Sequence, residues 1–114
     1  MVSWRQRESE KQARCREQNE AKAWAPTDVG EGSFRCECGD VDCSRAITLT
    51  PTEYAGVRAH ATHFAVARNH ENPESERVIQ ENERFATVET VTAEATKLAR
   101  RSDPGQRRRE RCWR

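Results

Sequence analysis

The sequence predicts a small α+β domain, a short antiparallel sheet with one packed helix, flanked by N- and C-terminal helices. Three observations carry that reading. A chain of 114 residues makes one domain. Short β-branched runs such as Ala46-Ile47-Thr48-Leu49 and Phe85-Ala86-Thr87-Val88-Glu89-Thr90-Val91 alternate in the manner of strands. Thr50-Pro51-Thr52-Glu53 is a well-formed helix start.

Such a fold needs a staple. Leu, Ile, Val and Phe supply 15 of the 114 residues, a share below the roughly 20% at which a chain tends towards disorder unless something besides a core stabilises it. A net charge of +1 argues against full disorder. Small domains of this kind rely on disulfides, metals or oligomerisation. Cysteine usage separates these options, because no signal sequence opens the chain and no apolar run reaches the ~18 residues that span a bilayer. The expected compartment is the cytoplasm, with no membrane association. In that reducing environment clustered cysteines more often bind metal than form structural disulfides, and an odd count of five cannot pair completely.

Taken in order, residues 1–24 read as a charged helix with Glu10 and Arg14 spaced i,i+4 and no glycine or proline. Trp4, Ala13, Ala21 and Trp24 make no continuous apolar face. The helix therefore docks by one end, binds an unknown protein partner through Trp4 and Trp24, or is a plain charged extension; Cys15 within it is expected to be an exposed thiol. Residues 25–33, with Pro26, Gly30 and Gly32, form a linker. The folded domain is expected over residues 34–101, and a basic tail over 102–114.

Within the domain, Phe34-Arg35-Cys36-Glu37-Cys38 alternates like a strand, with Phe34, Cys36 and Cys38 on one side and the charges on the other. Gly39 allows a positive-φ turn, and the loop Gly39-Asp40-Val41-Asp42 returns Cys43 to the same point. Three thiolates thus converge locally. A closed tetrahedral zinc site takes four donors, and three cysteines with one histidine is a usual set. Among the histidines, His70 ranks first for the fourth position, in a polar loop whose Asn69 tolerates a left-handed conformation. His63, at the start of a strand, is the alternative fourth ligand; His60, off the apolar face of its helix, is a surface residue. The strand around His63 should bury Phe64 and Val66. Residues 77–80 and 85–91 then form a hairpin across Asn82-Glu83, preferred over a helical turn at Asn72-Pro73-Glu74, and residues 92–101 form a terminal helix stopped by Asp103-Pro104-Gly105.

Phe34-Arg35-Cys36-Glu37-Cys38-Gly39-Asp40, Cys43, Leu49-Thr50, Glu53-Tyr54, Val57-Arg58, Phe64 with Val66, and His70-Glu71 together resemble a family of small, uncharacterised bacterial proteins. Its pattern runs F-x-C-E-C-G-D-x-x-C, L-T-x-x-E-Y-x-x-V-R, F-x-V, G-H-E. The resemblance implies a zinc-binding-like domain with Cys36, Cys38, Cys43 and His70 at the ligand positions and no established activity. The chain departs from it with Arg68-Asn69 in place of Pro-Gly before the histidine.

Function follows as an expectation: a non-enzymatic small zinc-binding protein, one structural Zn²⁺ per chain, serving as a binding or regulatory module. The alternative is a thiol-based redox or zinc-release sensor, against which Glu37, Asp40 and Asp42 count because neighbouring carboxylates raise thiol pKa. A zinc enzyme would need an open coordination position and a nearby base, for which Glu71 is the candidate. Charge is unevenly spread: residues 25–92 hold six basic and twelve acidic groups, residues 93–114 eight and three. Arg107, Arg108, Arg109 and Arg111 could hold phosphates while Trp113 stacks on an unpaired base, so nucleic acid is a further candidate partner, confined to the tail.

Overall fold

The computed structural model describes residues 4–24 and 32–103. Eight elements follow in the order α1 (Trp4–Trp24), β1 (Gly32–Arg35), β2 (Ala46–Leu49), α2 (Pro51–Arg58), β3 (His63–Val66), β4 (Glu76–Glu81), β5 (Ala86–Thr90) and α3 (Ala93–Arg101). This is the expected α+β class, with the strands divided between two antiparallel sheets, β1-β2 and β3-β5-β4. The side chains of Trp4 and Trp24, most of the anticipated linker, and the tail residues Arg107, Arg108, Arg109, Arg111 and Trp113 lie outside the described residues. Gly32 and Ser33, assigned to the linker by composition, pair with Leu49 and Thr48 in the first sheet. No helix among the described residues is long and apolar enough to cross a membrane.

Local chemistry fixes most of the elements. Thr50 caps α2 in a reciprocal box: its side chain accepts from the Glu53 amide, and the Glu53 carboxylate accepts from the Thr50 amide. Arg84 grips the same carboxylate and, with the Thr50 amide, holds its pKa down to about 2. The pair ties the cap of α2 to the turn between β4 and β5. Alternation in β2 buries Ile47 and Leu49 and exposes Ala46 and Thr48. The β4-β5 hairpin forms as expected, with a bulge between Val78 and Gln80 and with Asn82 accepting from the Arg84 and Phe85 amides to close the turn. Thr92 caps α3.

The apolar core lies between α2 and the sheets. Tyr54 stacks on Phe34 with ring centroids 4.7 Å apart, and Val57, Leu49, Phe64, Val66, Phe85 and Val88 complete it. It is small, in keeping with the composition. Buried polar groups supply much of the remaining cohesion.

Helix α1 departs most from the sequence reading. It packs on the domain with an almost wholly polar face comprising Lys11, Gln12, Cys15, Arg16, Asn19 and Glu20, all buried. Apolar periodicity cannot report such a face, because its burial is driven by hydrogen bonds with specific acceptors. Cys15, expected at the surface, lies beneath the helix, and burial raises its thiol pKa.

Arg16 is the anchor of that face, at 0% exposure. It donates to the carbonyls of Ala61 (2.5 Å) and Ala99 (2.6 Å) and to Ser102 Oγ (3.0 Å), and its guanidinium carbon lies 4.5 Å from the centre of the Phe64 ring. Burial, reinforced by nearby Arg58, lowers its pKa to about 10, so it stays cationic at neutral pH. The charge sits at the C-terminal end of α3, where unsatisfied carbonyls attract a cation. Arg58 makes a parallel set of links to Glu20 of α1 and to buried Asp103 just beyond α3.

Replacing Arg16 by Met keeps the length of the side chain and strands two buried carbonyls, each costing about 1–3 kcal/mol. Arg16→Met is expected to lose about 3 kcal/mol of stability in urea unfolding followed by circular dichroism. A loss under about 1 kcal/mol would mean that α1 is held by something else.

Candidate metal centre

The cysteine-bearing segment begins where β1 ends. Cys36 donates its amide to the Arg45 carbonyl (2.9 Å), which closes the base of the loop. At the tip, the Asp40 side chain accepts from the Asp42 amide (2.9 Å) and the Asp40 carbonyl accepts from the Cys43 amide (3.0 Å). This double turn returns Cys43 towards Cys36 and Cys38. Gly39 serves a different purpose from the expected one: its φ is not in the left-handed region, and a Cβ there would lie 3.0 Å from the Glu8 Cβ of α1. The missing side chain allows the helix to approach the loop closely.

The fourth donor arrives from the turn after β3. Asn69 adopts φ 67, and the His70 amide donates to the Ala67 carbonyl (3.1 Å), which swings the imidazole back over the cysteines. Asn is well suited to this left-handed position.

Cys36, Cys38, Cys43 and His70 thereby form one group whose donor atoms all lie within 4.8 Å of one another, a cluster that could hold a metal ion. His70 Nδ1 stands 3.7 Å from Cys36 Sγ and 3.6 Å from Cys43 Sγ. Metal–sulfur bonds of about 2.3 Å and a metal–nitrogen bond of about 2.0 Å at a tetrahedral angle give a sulfur–nitrogen edge of about 3.5 Å. The donor chemistry and both sulfur–nitrogen distances fit. Cys36 and Cys38 are buried, at 2% and 1% exposure, whereas Cys43 and His70 sit partly open at the rim.

The surroundings of Cys36 and Cys38 place hydrogen-bond donors against both sulfurs. Cys36 Sγ accepts the Ala67 amide at 3.1 Å, and Cys38 Sγ faces the Lys11 ammonium of α1 at 3.7 Å. The same ammonium donates to the Cys38 carbonyl at 3.1 Å. The hydrogen bond between Cys36 and Cys38 holds the Cys38 thiol well below its ordinary range, with His70 and the Asp40 amide adding to the effect, and pushes Cys36 upward.

Glu37, between the two buried cysteines, departs from the alternation read in the sequence: it is at 0% exposure, while its neighbour Arg35 is exposed as expected. The strand ends at Arg35, so the period-two rule no longer governs Glu37. Its carboxylate accepts from Tyr54 Oη (2.7 Å), Asn19 Nδ2 (2.9 Å) and the Ala65 amide (2.9 Å). Burial raises its pKa, and these three donors oppose the rise. Its own amide donates to the Ala65 carbonyl (2.8 Å), so the ligand segment lies along the free edge of β3.

His63, the alternative fourth ligand, is not part of the cluster. Its Nε2 meets Glu89 Oε2 at 3.1 Å, and its ring lies 4.4 Å from that of His60. The register of β3 on β5 places His63 directly opposite Glu89, which commits the imidazole to the sheet. Sequence reading overlooked Lys11, Asn19 and Glu37 as supports of the site. For Glu37 the one available signal was its position between two cysteines.

Compared with known proteins, the chain matches no family model, no curated protein and no solved structure.

The two histidines separate cleanly in a titration with cobalt(II), whose visible absorption reports cysteine coordination. His70→Ala is expected to weaken binding by more than about 100-fold, beyond the upper end for loss of an outer support, whereas His63→Ala leaves the titration unchanged. Equal effects from the two substitutions would refute the assignment.

Proposed function

We propose that this protein is a non-enzymatic zinc-binding module in which one Zn²⁺ per chain is structural. The observation that carries this reading is the convergence of four donors from two separate segments, all within 4.8 Å of one another. Three thiolates and an imidazole select zinc among the common biological metals, and four protein donors fill its preferred sphere. A filled sphere leaves no position for a reacting water or substrate, which favours cohesion over catalysis.

Energetics supports the same reading. The ligand segment joins β1 to the loop before β2, while His70 belongs to the turn after β3, so an ion here would tie the two sheets together. Zinc binding to such a site contributes directly to folding free energy, on the order of 10 kcal/mol. That far exceeds what so small an apolar core supplies in surplus over chain entropy. The thiol-sensor alternative draws less support, because Cys36 and Cys38 are sealed from solvent and an oxidant would first meet Cys43. The surface that meets a partner would then be presented by this zinc-held scaffold.

Native mass spectrometry of the purified chain is expected to show one zinc ion per chain, and a strong chelator is expected to abolish the folded circular dichroism spectrum. Cys38→Ser should remain soluble yet largely unfolded. A metal-free chain with a native spectrum, or a folded Cys38→Ser chain, would rule out a structural role.

A further inference from the structure

Helix α1 lies along the ligand segment and touches it at successive residues. Asn19 brackets Arg35, accepting its amide and donating to its carbonyl, both at 2.8 Å, and also donates to Glu37. Lys11 reaches the carbonyl and the sulfur of Cys38. Glu8 stands against Gly39. Glu8, Lys11, Cys15 and Asn19 are spaced three or four residues apart, so one helical stripe faces the segment that carries the thiols.

That stripe is polar, and its value depends on the charge it meets. Three thiolates and a neutral imidazole around a divalent ion leave one net negative charge. Buried Glu76, held by Gln12 of the same helix, adds a carboxylate on this side. Lys11 is only 7% exposed, and a buried ammonium needs a compensating charge to offset its lost hydration. Metal-bound thiolates supply that compensation, and the ammonium in turn balances them.

We infer that Lys11 couples the docking of α1 to the metal centre: the loaded site draws the helix onto the domain, and the docked helix tightens the hold on the ion. The inference rests on the metal reading above and adds its regulation. Coupling of this kind is reciprocal, so anything that lifts α1 from the domain loosens the ion by the same factor. Lys11 is a positioning residue, since it touches the ligands and not the metal. A partner that captured the polar face of α1 would thus act as a metal-release signal.

The test uses the full chain, with zinc affinity measured by competition against a chromophoric chelator and with hydrogen exchange of the zinc-loaded protein. Lys11→Met is expected to weaken zinc by about 10- to 100-fold, the usual effect of removing an outer support. Exchange should quicken in α1 while the amides of β3 and β5 stay protected. Lys11→Arg, which keeps the charge, is expected to recover most of the affinity. If Lys11→Met fails to fold with zinc in excess while Lys11→Arg folds and binds, the charge requirement stands. Affinity within twofold of wild type for Lys11→Met, or equal losses for Met and Arg, would overturn the coupling while leaving the metal site intact. A wild-type chain that binds no zinc would overturn both.

Discussion

The buried carboxylate of Glu37 is the constraint around which the other parts are arranged. It has no water to turn to, so Tyr54 from α2, Asn19 from α1 and the Ala65 amide of β3 must all reach it at once. That requirement sets three elements relative to one another and to the two cysteines on either side of Glu37. A misplaced helix would strand an unsolvated carboxylate, a penalty much larger than the net value of any one of its hydrogen bonds. The four candidate donors inherit their positions from this arrangement. An ion held there would close a site whose walls are aligned by Glu37.

A polar interior of this sort trades stability for definition. Arg16, Arg58, Glu20, Asp103, Glu76 and Lys11 are all largely withdrawn from solvent and matched to specific partners. Replacing both partners of a buried polar pair by apolar groups often costs little, whereas removing one alone strands the other. What these contacts add is directionality. A core with eight Leu, Ile, Val and Phe side chains among the described residues tolerates many packings, whereas an arginine that must meet Ala61, Ala99 and Ser102 together permits very few.

Much of this was legible in the sequence wherever the signal was local. The Thr50–Glu53 box, the left-handed Asn69, the hairpin across Asn82 and the convergence of Cys36, Cys38 and Cys43 each depend on residues a few positions apart, and geometry over so short a span follows from residue type. His70 was reachable from loop chemistry, with His63 kept as the alternative, and only the register of β3 on β5 commits His63 to Glu89. Docking of α1 was not legible. A face of Lys11, Gln12, Arg16, Asn19 and Glu20 is indistinguishable in composition from a solvated one, and its partners lie up to 86 residues away in the chain. Gly39 was noticed for the wrong reason, because a glycine that admits a neighbouring helix and a glycine that permits a turn look identical in one dimension.

Those long separations carry a consequence for the chain as it leaves the ribosome. Synthesis runs from the N-terminus, so Arg16 emerges early yet must wait for Ala99 and Ser102, its last two acceptors, to be made. The Cys36, Cys38, Cys43 and His70 quartet is complete much sooner. During that interval Asn19 and Lys11 already have their partners on the cysteine segment, while the Arg16 guanidinium still lacks the Ala99 carbonyl and the Ser102 hydroxyl. The contacts of Arg16 with the end of α3 are thus completed after those of Lys11, Gln12 and Asn19.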